Sequence, residues 1–469
     1  MVFPAGTFSV CQNWLLPDRV ALVGAGRGKT LVQWPTTCQT ASLFYPAVNA
    51  NTAKALPIIS GEPGARWRLE DMDLLCQAKA ALGYQPTLGT NFIGLGIASD
   101  LYNAGAGGYG GSSGRLARLN ITFDLRLFPG VQIGNAFAAY SSVDFSLVDS
   151  YVSHKGNCAA QWPHNCIYHI TNSSNGEVRG VEFDMGCQSA AHESSSRIFL
   201  ADNVYTETQS WEGQRSTTGG FEFSNIDPPH VSELHYMGNI SYTGNPLSAE
   251  RWESFTTDGG ADSVYNDTVL AQVANPDGTA TLTLAAPVFA SVFFYQWAPG
   301  FAVTVMQGPN VGQQRRLVAV TGEDNTTMVI NAPFDPPLTP SDYLSVNGYK
   351  GGYTLEGNRY LNATTFQVFG GLADTVFSGN SIDSMFASGK AMPPLPPMGS
   401  DMGGMAGGGG MQYAVSYQQE LYNVWEHNNF QCFDEFRISV FNFDYPSDNV
   451  PVQLKNATFN FAQVVRLPP

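Results

Sequence analysis

Charge is scarce in this chain. Only 13% of its 469 residues are charged, against about 25% in ordinary soluble domains. Just seven are lysine, and the formal net charge is −16. A surface of that sign repels nucleic acid and anionic membranes, so neither is an expected partner. Long apolar runs are also missing. The longest, Leu284 to Tyr295, contains Pro287 and is too short to span a bilayer. Almost no stretch repeats apolar residues at the helical period; the one candidate helix is short, around Leu69 to Leu82. Met1 to Gly6 has neither the basic start nor the apolar core of an export signal. The chain is therefore expected to lack its true N-terminus.

Glycine (49 residues) supplies turns, and Asn, Ser and Thr carry the solubility that charge does not. Seven Asn-x-Ser/Thr sequons stand at Asn120, Asn172, Asn239, Asn266, Asn325, Asn362 and Asn456. Seven cysteines, with Cys158, Cys166 and Cys187 crowded together, fit three disulfides and one odd thiol. Both features point to a secreted, glycosylated, extracellular protein.

The most informative stretch is Gly351 to Met385. Leu355-Glu-Gly-Asn358 recurs as Phe377-Ser-Gly-Asn380, 22 residues on, each after a short alternating run. A strand-like repeat with a Gly-Asn corner is the pattern of a coil-stacking solenoid. From Arg115 onward the two-residue alternation is insistent, and several runs end near Asp149, Asp184, Asn203 or Asn239. Asx residues at equivalent corners are expected to stack, share amide hydrogen bonds between coils and tolerate left-handed backbone.

The expected organisation is an N-terminal β-helix over 1–250, an inserted antiparallel β-domain over 251–350, and resumed coils over 351–388. A Gly/Pro/Met-rich loop over 389–412 and closing coils over 413–469 follow. The insert is marked by longer strands separated by Pro-Asp-Gly and Gly-Glu-Asp-Asn turns. The fold class is all-β.

The opening FPAGTFSV and LLPDRVALVGAGRGKTLVQW, the Gly-Asn rungs at Asn358 and Asn380, and the inserted β-segment together resemble the single-stranded right-handed parallel β-helix superfamily, the pectate-lyase-like fold. That resemblance implies a right-handed parallel β-helix and a polysaccharide or other glycan as partner. It spans lyases, hydrolases, uronan epimerases and non-enzymatic adhesins, and so selects no reaction. The Asn-Thr-Asp, Asp-Asp and Gly-His-Gly elements of polygalacturonases are absent, as is the Arg-x-Pro-x-x-Arg segment of calcium-dependent pectate lyases.

Candidate chemistry therefore comes from residue type and spacing. Glu253 and Asp258 lie beside Trp252 where coil gives way to insert. Two carboxylates near an aromatic platform suit glycosidic cleavage, one as acid and one as base or nucleophile. Asp258, Asp262 and Asp267 suit Ca²⁺ or turn capping equally well; no other cofactor is expected. A second candidate is the run Asp149 to Glu193, holding His154, Lys155, His164, His169, His192 and Glu193. There His154 or His192, with Glu193, would abstract a proton from a uronate, and Lys155 or Arg179 would neutralise its carboxylate. Trp211 and Arg215 are further subsite candidates. Gly24 to Thr30 imitates a phosphate loop, but strand follows it rather than helix, so a solenoid corner is expected. Hydrolysis, with lyase or epimerase chemistry behind it, competes with a purely adhesive glycan-binding role.

Overall fold

The computed structural model describes residues 1–11, 14–37, 59–62, 64–77, 95–98, 113–124, 135–140, 142–155, 168–171, 173–185, 190–193, 196–206, 221–222, 230–242, 255–256, 265–288, 301–322, 324–347, 349–363, 365–369, 374–384, 410–414, 423–432, 437–439, 452–455 and 458–461. For some strand residues only the backbone is described. The elements are all β-strands.

Every strand outside residues 265–347 pairs in parallel with the equivalent strand of the next coil. Ser146–Val148 lies on Glu177–Arg179, which lies on Phe199–Ala201, which lies on His235–Met237. Past the corner, Tyr151, Glu182, Val204, Ile240 and Arg359 continue in register. A second, eleven-stranded sheet is parallel throughout and gives one short strand per coil. The chain is a parallel β-helix.

One corner organises the stack. The residue ending the first strand of each coil has φ between 48° and 65°, at Asp71, Arg118, Asp149, Gly180, Asp202, Gly238, Gly357, Gly379 and His427. Glycine, Asp and Asn enter this left-handed region most cheaply. The next residue turns inward. In five successive coils it is asparagine: Asn203, Asn239, Asn358, Asn380 and Asn428, none more than 4% exposed. Each Nδ2 donates to the Oδ1 of the next, at 2.9 to 3.1 Å. Each also donates to a backbone carbonyl, such as Leu200 O from Asn239. Each Oδ1 in turn accepts a backbone N–H from the coil before. The stacking of Asx residues is thus observed, with the labour divided. Asp149 takes the left-handed position and Asn203 and Asn239 the buried one, whereas Asp184 lies within a strand.

Inside, alternate residues fill a continuous apolar core running from Leu22 and Val32 through Leu69, Leu116, Leu147, Val178, Leu200 and Tyr236 to Leu355 and Phe377. Phe183 and Tyr205 stack at 4.9 Å on neighbouring rungs. Gly176 leaves room for Phe145, whose ring a Cβ there would meet at 2.0 Å.

Two expectations change. Leu69 to Cys76 is not helical; it belongs to the strand Arg66–Cys76. Asp71 takes the corner and puts two outward positions side by side, so the inward Leu69 and Met72 fall three apart and imitate a helical spacing. The insert is a closed barrel of six antiparallel strands, Tyr265–Ala274, Ala280–Leu284, Thr327–Ile330, Gln314–Thr321, Ala302–Gln307 and Tyr343–Asn347, around its own core. It is narrower than 251–350. Phe255–Thr256 still pairs with Phe221–Glu222, and Tyr349–Gly351 already pairs with His230–Ser232.

Candidate functional site

The barrel sits at the turn that leads out of the eleven-stranded sheet. In other coils that turn is as short as two residues, 172–173 and 194–195. The sheet it follows holds the best candidate site. The buried Phe137, Ala139 and Ile170 mark the core-facing positions of its strands. Residues alternating with them fall on the opposite face. Register there aligns Ala138, His169, Ala191, Glu222, Thr256, Gln367, Gln412 and Arg437 in one column across eight coils. Beside it run Tyr140, Thr171 and Glu193. Glu193 and Glu222 are therefore diagonal neighbours on adjacent coils, with Cα atoms roughly 8 Å apart from strand spacing and rise. His169 occupies the coil before Glu193.

On the larger sheet several charges are paired within the protein. Arg118 grips Asp71 through Nε (2.7 Å) and Nη2 (2.8 Å) and reaches Glu70 at 3.0 Å. The Arg118 guanidinium holds the Asp71 carboxyl below its ordinary value, and Asp71 raises Arg118. Asn120 Nδ2 and the Gly28 amide both donate to Asp73. Tyr151 Oη donates to Asp184 at 2.8 Å, and burial, followed by that carboxylate, pushes the phenol up. Arg179 lies 3.0 Å from Glu177 Oε1 and is half of an ion pair rather than a lone cation. The Gly24 to Thr30 segment is a corner, its Gly26 amide bonded to Asp71 O and its Ala25 amide to Thr30 Oγ1.

The two catalytic histidine candidates are not in one sheet. His154 is in register with the buried Phe123 and with Met185 on the larger sheet. His192 is in register with the buried Ile170 on the smaller one. Both share register columns with buried residues, whereas Glu193 is in register with Thr171 and Lys155 with Asp124. Trp211, Arg215, Trp252, Glu253 and Asp258 lie outside the described residues. Asp267 accepts the Thr268 amide at 2.6 Å. Among the described residues no group of three His, Cys, Asp or Glu side chains could hold a metal ion. Sequence reading missed Glu222 because its strand is two residues long; the available signal was a Glu following an aromatic in the phase of Ala191 and Glu193.

No protein-family model matches the chain, and no curated protein matches it. Among solved structures it is similar to the A-module of a mannuronan C-5 epimerase from Azotobacter vinelandii, with 11% identity over all of this chain and 90% of that one (TM-score 0.42). It is similar to an endo-xylogalacturonan hydrolase from Aspergillus tubingensis, with 10% identity over 97% and 91% of the two chains (TM-score 0.36). It is also similar to gene product 12 of bacteriophage phi29, with 9% identity over 93% of this chain and 48% of that one (TM-score 0.37). Among the described residues no helix is long and apolar enough to cross a membrane.

Proposed function

We propose that the protein is an extracellular polysaccharide-active β-helix, and that it binds its glycan along the outer face of the eleven-stranded sheet and hydrolyses it there. The observation carrying this reading is the register that brings His169, Glu193 and Glu222 onto three consecutive coils. Coils repeat about every 4.8 Å, a spacing commensurate with the sugar units of an extended chain. Two glutamates on adjacent coils supply what glycosidic hydrolysis needs, one carboxyl to protonate the leaving oxygen and one to activate water or attack. The column continues through Thr256, Gln367, Gln412 and Arg437, residue types that hydrogen-bond hydroxyl groups. Glu253 and Asp258 flank Phe255–Thr256 in sequence and remain a second candidate carboxylate pair for this reading. Export is supported by the sequons and cysteines.

A second reading rests on His169, which occupies the column itself, unlike His154 and His192. As a base it would abstract the C5 proton of a uronate, giving lyase or epimerase chemistry. Incubation with neutral and uronic polysaccharides, following reducing ends and unsaturated-uronate absorbance together, separates the readings. Reducing ends without absorbance, lost in Glu193→Gln or Glu222→Gln, support hydrolysis; loss only in Glu253→Gln/Asp258→Asn moves the pair one coil on. Absorbance lost in His169→Ala supports a lyase. Silence on every substrate with glycan retention intact means a binding protein.

A further inference from the structure

Of the seven sequons, the structure separates two sharply. We infer that Asn325, at the tip of a barrel hairpin, carries an N-linked glycan, and that the sequon at Asn239 is silent. The inference rests on the secretory part of the reading above and is independent of its catalytic part.

Glycan transfer joins Asn Nδ2 to C1 of the first sugar of a lipid-diphosphate-linked oligosaccharide. The diphospholipid leaves with the electrons of the broken bond, and the amide loses one proton. The product keeps one N–H and needs space for a sugar at Nδ2. Asn239 offers neither. It is 1% exposed, and its two amide hydrogens go to Leu200 O at 2.9 Å and Asn358 Oδ1 at 3.1 Å. A sugar on Nδ2 would remove one of these bonds and stand between coils about 4.8 Å apart. A chain modified there before folding could not close the asparagine ladder.

Asn325 is the opposite case. It occupies the turn joining Gln314–Thr321 to Thr327–Ile330, with φ 56°. Its backbone is committed, the carbonyl to the Val288 amide and the amide to Gly322 O. Its side-chain amide has no hydrogen-bond partner among the described residues, and its neighbours Thr321, Gly322 and Asp324 are exposed. The hydroxyl residue of the sequon, Thr327, begins the next strand, so an extended segment follows the acceptor. Asn120 is half-buried like Asn325, but its side-chain amide already gives one hydrogen to Asp73.

The test is export of the full chain from a eukaryotic host behind that host's own export signal. The folded, secreted fraction is deglycosylated enzymatically in heavy-oxygen water, which labels each formerly occupied Asn as Asp, and mapped by peptide mass spectrometry. Label at Asn325 and none at Asn239 is expected. Asn325→Gln should lose one oligosaccharide and remain secreted. Ser241→Ala, which destroys the Asn239 sequon while keeping its ladder amide, should change no glycan mass. Label at Asn239 in folded protein would overturn the exclusion. A bare Asn325 beside other occupied sequons would overturn the assignment alone. Secreted protein with no occupied sequon would overturn the Asn325 assignment together with the reading of the sequons as secretory marks.

Discussion

A single amide in the ladder satisfies several buried groups at once, and its loss should be felt well beyond one side chain. Asn239→Ala would strand the Asn203 backbone amide and an Asn203 Nδ2 hydrogen, and would take a donor from Leu200 O and Asn358 Oδ1. Buried groups left without partners cost about 1–3 kcal/mol each, so a loss of at least about 3 kcal/mol is expected, read as a lower midpoint in urea. At the adjoining left-handed corner, Gly357→Asn should cost less than about 1 kcal/mol, because no atom lies within 4 Å of the new Cβ and Asp or His already stands at equivalent corners. Equal losses from the two substitutions would refute the division of labour at this corner. Charge at the corner acts more weakly. Asp71, held below its ordinary value of 3.8 by Arg118, stabilises the fold above about pH 4, and that contribution disappears as pH falls through its folded value. Asp71→Asn keeps a residue that accepts left-handed backbone and removes only the charge. It should lower stability by about 0.5–1 kcal/mol at neutral pH, the pair being half-exposed, with the gap to wild type closing below about pH 4. Melting curves across pH measure it directly; a gap that persists in acid would mean the effect is not electrostatic.

The strands and the corner motif were legible in the sequence because they repeat: the Gly-Asn step at Asn358 and Asn380 states the coil outright. What stayed hidden has a physical cause in each case. Asp71, at a corner that four other coils give to glycine, interrupts the alternation and sets Leu69 and Met72 at a helical spacing. The column of His169, Glu193 and Glu222 depends on which residues of separate coils lie in register. Loops of very different length separate those coils, so spacing along the chain does not reveal it. The boundaries of the insert were blurred because barrel and coil are both β, with similar composition. Register carries the coil across the barrel. His230–Ser232 pairs with Tyr349–Gly351 as if nothing intervened. Replacing 265–347 by a short Gly/Ser linker should therefore leave the far-ultraviolet circular dichroism of the helix and its protease-resistant core in place. Collapse of the helix on excision would show that the two cores are one folding unit.

At the scale of the whole molecule, a net charge of −16 with a sequence pI near 4.7 bears on which polysaccharide is held. A polyuronate brings one carboxylate per sugar toward a surface of the same sign, while the Arg118 and Arg179 guanidiniums are already occupied by protein carboxylates. Repulsion of this kind is long-ranged at low ionic strength and fades as the Debye length shrinks from about 30 Å at 0.01 M to about 8 Å at 0.15 M. Retention of the protein in a polyuronate-containing gel should accordingly strengthen as salt is raised over that range, and strengthen again as pH is brought toward 5. Retention by an uncharged glucan or xylan should barely respond to either. The signs matter more than the sizes, because specific cation contacts would produce the reverse trend, with polyuronate binding weakening as salt displaces it. That reverse trend would point to Arg437 as a working carboxylate ligand and favour proton abstraction at His169 over hydrolysis by Glu193 and Glu222. Strengthening with salt would instead tie the acidic surface to a neutral chain lying along the eleven-stranded sheet, and with it the two-carboxylate reading of the groove.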